Sequence, residues 1–230
     1  MLKIILIFTK NRNKFSSNYL RFAILSVMSL WRRLHFFLFA LCLNFFGCGL
    51  QEETSEICFV GDSITRLWDL EYYFAGRNIH KHAVSGAILE DVAEWNTSDC
   101  KDIPTVMLIG TNNLILGMQA DTLTDDFILD FVNKYVEQAK KFQASSFYAV
   151  SILPRNYLWK QNPKINEEIR NLNQEIEKSL KLSGIDFYFV NLYSEFLSQE
   201  NEIEKDYYFD GLHLTQEGYE LLSWYVEEAL

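Results

Sequence analysis

The first fifty residues contain no aspartate or glutamate, yet they hold seven lysines and arginines. The rest of the 230-residue chain carries fourteen basic and all 31 acidic residues, a formal charge of −17. A basic, apolar head on an acidic body reads as a targeting segment, residues 1–50, followed by a globular domain, residues 51–230. The body has no row of cations to neutralise consecutive phosphates, which argues against nucleic acid as a partner. The same lack argues against electrostatic adhesion to anionic lipid. The head also lacks a membrane-spanning run: Leu34 to Phe46 is 13 residues, where a span needs about 20. Internal repeats and low-complexity tracts are missing, and the four cysteines show no metal-ligand spacing. No metal or cofactor is expected. With 49% apolar and 23% charged residues, disorder of the whole chain is excluded.

Trp31-Arg32-Arg33, the apolar run and Gly47-Cys48 together have the layout of an export signal. Met28 stands just before it, so residues 1–27 look like surplus ahead of the true start. A small residue directly before cysteine resembles the lipobox of bacterial lipoproteins, with Phe45 where leucine is usual. That resemblance implies lipidation at Cys48 and a domain held at a membrane, in the periplasm or at the cell surface. Cys58, inside an apolar run, reads as a buried free thiol, although pairing with Cys100 is open to an exported chain.

In the body, Ile57–Val60, Thr105–Ile109, Ser146–Leu153 and Ile185–Leu192 read as buried strands, and Ile79–Val84 as a weaker one. Helical spacing of apolar residues marks 121–142, 166–182 and 215–230, the last opening on a capping threonine, Thr215. Strands alternating with helices imply a three-layer α/β/α sandwich around about five parallel strands. Ligands of such folds sit outside the carboxyl ends of the strands.

Polar motifs follow those strand ends. Gly61-Asp62-Ser63-Ile64 offers a nucleophile. Gly86, after the second strand, offers a backbone N–H, and Asn112 in Gly110-Thr111-Asn112-Asn113 offers a carboxamide donor for a developing oxyanion. Asp210-Gly211-Leu212-His213, before the last helix, offers an imidazole base with its orienting acid. His80 and His82 lie in the weak strand and read as structural or exposed. Each motif alone is an ordinary turn; the ordered set supplies the groups acyl transfer needs. It also lacks the Gly-x-Ser-x-Gly elbow of the α/β-hydrolases.

The ordered set resembles the SGNH hydrolases, also called GDSL-type lipases and esterases, over about residues 56–222. The resemblance implies a flavodoxin-like fold and Ser63, Asp210 and His213 as catalytic residues. It implies an oxyanion hole built from the N–H of Ser63, Gly86 and Asn112. Two departures stand out: Ile64 where the first block usually has leucine, and Asn113 where the third often has aspartate. Tyr157 and Trp159, after the fourth strand, are candidates for lining an acyl or sugar pocket. The expected reaction is hydrolysis of short acyl esters, such as acetylated carbohydrates, through an acyl-serine. Two alternatives are a lysophospholipase or acyltransferase working on lipid, and a catalytically silent surface lipoprotein that binds a ligand.

Overall fold

The computed structural model describes residues 55–159, 163–200 and 202–230. The head, with Met28 and Cys48, lies outside them. The strands are β1 (Glu56–Gly61), β2 (Asn78–Ala83), β3 (Thr105–Leu108), β4 (Phe147–Val150) and β5 (Phe187–Val190). They form one parallel sheet in the order β2-β1-β3-β4-β5. Among the described residues seven α-helices flank it: α1 (Ser63–Leu67), α2 (Leu70–Tyr73), α3 (Leu89–Glu94), α4 (Thr111–Gln119), α5 (Asp125–Phe142), α6 (Pro163–Ser183) and α7 (Gln216–Ala229).

Both faces of the sheet are covered, which is why its central strands read as unbroken apolar runs. Successive side chains alternate across a strand. Ile57 and Phe59 therefore enter a core with α1, α2 and α7, through Trp68, Phe74 and Leu222. Cys58 and Val60 enter the opposite core with α3 to α6, through Leu89, Phe131 and Ile169. These are the three layers. The chain moves one way from β1 to β2 and the other way from β1 to β3, so the strand order reverses at β1. In sheets of this kind the ligand crevice lies at that reversal, beyond the carboxyl ends of β1 and β3.

Local chemistry places the long helices. Thr124 caps α5 by accepting from the Phe127 N–H at 3.2 Å, and Asp125 and Asp126 follow at its positive end. Thr215 caps α7 by accepting from the Gly218 N–H at 3.2 Å. Helices α1 to α4 have no counterpart in the apolar periodicity, because they are short or begin on amide and hydroxyl side chains. The stretch 116–119 is the last turn of α4.

One expectation is overturned. Cys58 is not a free thiol; its sulfur is bonded to that of Cys100, and both residues are fully buried. Cys100 lies in a 3-10 turn, Ser98–Cys100, that folds over β1 with its Cα 5.3 Å from that of Cys58, within the range a disulfide requires. The apolar run identified the strand but not the turn facing it.

Candidate active site

β1 ends in a glycine because nothing larger fits. A Cβ on Gly61 would lie 2.2 Å from Thr65 Oγ1 and 2.4 Å from the Leu108 carbonyl oxygen. The chain then turns directly into α1. Asp62 caps that helix, its Oδ1 accepting from the Ile64 N–H at 2.9 Å. Ser63 is the first helical residue, so its own N–H has no intrahelical acceptor and faces the crevice end of the sheet.

The loop before α7 folds around a carboxylate. Asp210 Oδ1 accepts from the N–H groups of Leu212 and His213, at 2.9 and 2.8 Å. Its Oδ2 lies 2.8 Å from His213 Nδ1, and His213 Nε2 lies 3.1 Å from Ser63 Oγ. An ionised carboxylate only accepts, so the proton sits on Nδ1 and Nε2 is left to accept from the serine hydroxyl. Burial alone would raise the Asp210 pKa. The hydrogen bonds from the His213 ring and from the two N–H groups outweigh it and hold the acid below its usual range.

This loop is fastened to the segment leaving β4. The Asn156 and Leu158 N–H groups donate to the carbonyls of Gly211 and Asp210, both at 2.7 Å. The Tyr208 hydroxyl donates to the Pro154 carbonyl at 2.6 Å. At φ +80°, and with Asn156 O only 2.0 Å from where a Cβ would stand, position 211 admits glycine alone.

The donor side is tied in a similar way. Asn112 lies in the first turn of α4 and donates one amide hydrogen to the Ala87 carbonyl at 2.9 Å, which leaves the second available. That bond links the exit of β3 to the exit of β2, where Gly86 sits exposed at φ +80°. Asn113 turns the other way. It accepts from the Leu89 N–H at 3.0 Å and donates to Glu90 Oε2 at 2.8 Å. Aspartate there would place a carboxylate against that of Glu90, which accounts for the departure from the usual third block.

Three further residues at the site are not evident in the sequence. Arg155 is buried, 5% exposed, and donates to Thr111 Oγ1 at 3.0 Å. Burial lowers its pKa, while Asp62, Tyr157 and Asp210 nearby favour its cation. An arginine after proline in a loop looks like a surface residue; its only signal is its place just beyond β4. Tyr157, beside the triad loop, is 42% exposed, and the Arg155 guanidinium lies over its ring, 5.6 Å from the ring centre. Trp159 ends the 3-10 turn Tyr157–Trp159, and its side chain lies outside the described residues. Phe209, 61% exposed, stacks on the His213 ring at 5.6 Å.

Asp62 is the third. It is 1% exposed, and desolvation lifts its pKa from 3.8 to about 6 despite the Ile64 N–H, His213 and Arg155. An acid raised on folding binds more protons folded than unfolded between those values. Its contribution therefore falls as pH rises from about 4 to about 6 and is level above. The shift corresponds to about 3 kcal/mol. Asp62→Asn, which keeps the capping oxygen, is expected to gain stability relative to wild type across that window. Chemical denaturation at a series of pH values measures it, and parallel curves for the two proteins would refute it.

A doubly wound sheet with a serine, an imidazole and a carboxylate in hydrogen-bonded line at its reversal point defines the class, an ester hydrolase. The chain belongs to the GDSL-like Lipase/Acylhydrolase family, whose model matches residues 59–221. Solved structures share the fold. A GDSL-like lipase from Bacteroides thetaiotaomicron is 22% identical, with a TM-score of 0.60 over 83% of this chain and 94% of that one. The acetyl xylan esterase AlAXEase is 18% identical, with a TM-score of 0.60 over 76% and 99%. The acetylxylan esterase Axe2 from Geobacillus stearothermophilus is 12% identical, with a TM-score of 0.57 over 77% and 95%. No curated protein matches by sequence.

Proposed function

We propose that this enzyme removes short acyl groups, acetyl foremost, from carbohydrate esters through an acyl-Ser63 intermediate. The observation that carries the reading is the unbroken line from Asp210 through His213 to Ser63 Oγ. In it, His213 Nε2 takes the hydroxyl proton as Oγ attacks the ester carbonyl carbon. The Ser63 and Gly86 N–H groups and the free Asn112 amide hydrogen receive the oxyanion. His213 then returns the proton to the leaving alkoxide, and water repeats the sequence to free the acid.

The short-acyl preference rests on what surrounds the crevice. Tyr157 and Phe209, beside the triad loop, are exposed rather than enclosed in a groove, and the buried Tyr208 is spent on the Pro154 carbonyl. A long-chain site gains about 0.8 kcal/mol per buried methylene only if it can bury the chain. Exposed aromatic faces also suit the apolar faces of sugar rings, and two enzymes of like fold act on acetylated xylan. The test is kcat/KM for acetyl, butyryl, octanoyl and palmitoyl esters of one alcohol, below their aggregation limits. It is expected to fall along that series. A rise toward octanoyl would transfer the enzyme to lipid substrates.

The same reading includes export and attachment through a lipid on Cys48, which would hold the domain beside a membrane. Because one acyl chain binds only marginally, stable attachment takes more than one. Labelled fatty acid is expected on the wild-type chain and not on Cys48→Ser; equal labelling of both would eliminate the anchor.

A further inference from the structure

The β2 edge of the sheet holds a group of side chains that ester hydrolysis does not use. Cys58 lies in the first half of β1, and the register pairs it with His80 on the edge strand β2, with Val60 paired to His82. Paired residues of parallel strands share a face, so Cys58, His80 and His82 all face the side on which the Ser98–Cys100 turn packs. One ring nitrogen of His82 and the sulfurs of Cys58 and Cys100 lie within 4.8 Å of one another. Behind them Asp99 Oδ1 is 2.8 Å from His82 Nε2, and its Oδ2 is 3.1 Å from His80 Nδ1. Both cysteines are fully buried, whereas the His82 side chain is 21% exposed and opens the cluster to solvent.

We infer that, when the Cys58–Cys100 bond is reduced, the two thiolates and the His82 imidazole form a binding site for zinc. Two thiolates and an imidazole are a set that zinc takes in preference to magnesium or calcium. With bonds of about 2.3 Å to sulfur and about 2.0–2.1 Å to nitrogen, ligand atoms on a tetrahedral zinc lie about 3.5–3.8 Å apart. The three atoms already fall within a sphere of that scale, so the sulfurs need to separate only by side-chain rotation. The fourth position falls to water, because both Asp99 oxygens are already engaged by the His82 and His80 rings. Ion pairing to two histidines would alone explain Asp99 at the surface. It does not explain why one of those imidazoles also reaches a buried cysteine pair. A carboxylate bonded to the ring of a ligating histidine is the usual outer support of a zinc site.

The chemistry balances. A dithiol reductant gives two electrons and two protons to the Sγ–Sγ bond and becomes a disulfide. Zinc then displaces the two thiol protons to solvent. Both states tie β1 to the turn before β3, and in the zinc state His82 of β2 is bound to the same ion. The cluster thus has two cross-linked forms selected by the redox state of its surroundings.

Cobalt(II), a spectroscopic stand-in for zinc, tests this on the full chain. After reduction, the protein is expected to bind cobalt with thiolate-to-metal charge-transfer absorption that one equivalent of zinc displaces; the oxidised protein shows none. Cys58→Ser and Cys100→Ser should each abolish the absorption although Cys42 and Cys48 remain. His82→Ala should weaken zinc binding, and Asp99→Asn should weaken it about 10- to 100-fold. On the wild type, zinc should protect two thiols of the reduced chain from alkylation and raise its melting temperature, both reversed by EDTA. Reduced wild type without the absorption and the protection overturns the proposal. So does absorption that survives Cys58→Ser, or zinc affinity unchanged in His82→Ala.

Discussion

Ser63→Ala and His213→Ala are each expected to lower kcat on the order of 10⁶-fold, because either removal ends nucleophilic attack altogether. Asp210→Ala should cost less, on the order of 10⁴-fold, since it leaves a base that has lost its orientation. The fold should survive the serine change. Among the described residues Ser63 Oγ bonds only to His213, while His213 keeps both its ring bond and its backbone bond to Asp210. Circular dichroism and thermal melting verify the fold, and ester hydrolysis by the purified variant gives the rate. Folded Ser63→Ala turning over at the wild-type rate would falsify the acyl-serine route.

Asn112→Ala is expected to lower kcat about 10²- to 10³-fold while KM changes little. In the proposed reaction its second amide hydrogen meets a charge that exists only in the transition state, so its loss spares substrate binding. Asn112→Asp should do worse than alanine, because it replaces the donor by a second negative charge facing the oxyanion. Loss of the bond to the Ala87 carbonyl also releases the exit of β2, where Gly86 sits. The alanine variant therefore weakens two donors at once, and the upper part of the range is expected. An effect confined to KM would make Asn112 a binding residue.

The sequence displayed the fold well where burial was two-sided. Ile57–Val60 and Thr105–Ile109 are apolar without a break because helices cover both their faces, and they appear as β1 and β3 nearly to the residue. β5 keeps only Val190 buried and exposes Tyr188, yet its aromatic run is legible as a strand. Helices α1 to α4 escaped notice. Their starts are set by single hydrogen bonds, such as Asp62 to the Ile64 N–H, which leave no periodic trace. At the site, the motif residues were visible because each follows a strand. Ser63, Asp210 and His213 are in contact in the structure, although Ser63 and His213 are 150 residues apart. Arg155, Asp62 and Phe209 carry no such mark in the sequence. Their importance comes from what tertiary folding sets against them: a hydroxyl, a desolvated pocket and an imidazole ring. The pairing of Cys58 with Cys100 was hidden for the same reason, since proximity over a 42-residue separation belongs to the fold and not to either neighbourhood.

The contact between Ser63 and His213 also fixes when activity can appear during refolding. It belongs to a seam between the start and the end of the body. Trp68 Nε1 donates to Ser223 Oγ at 2.8 Å, and the Tyr219 hydroxyl donates to the Ile64 carbonyl at 2.8 Å, each across 155 residues. Closing so long a loop carries an entropic cost that is recovered only when α7 docks. An intermediate with the sheet formed and α7 adrift would hold the serine and the donors but no base. Recovery of hydrolysis after dilution from denaturant is therefore a direct readout of the closing of this seam. It should trail the return of secondary structure whenever the two steps separate in time.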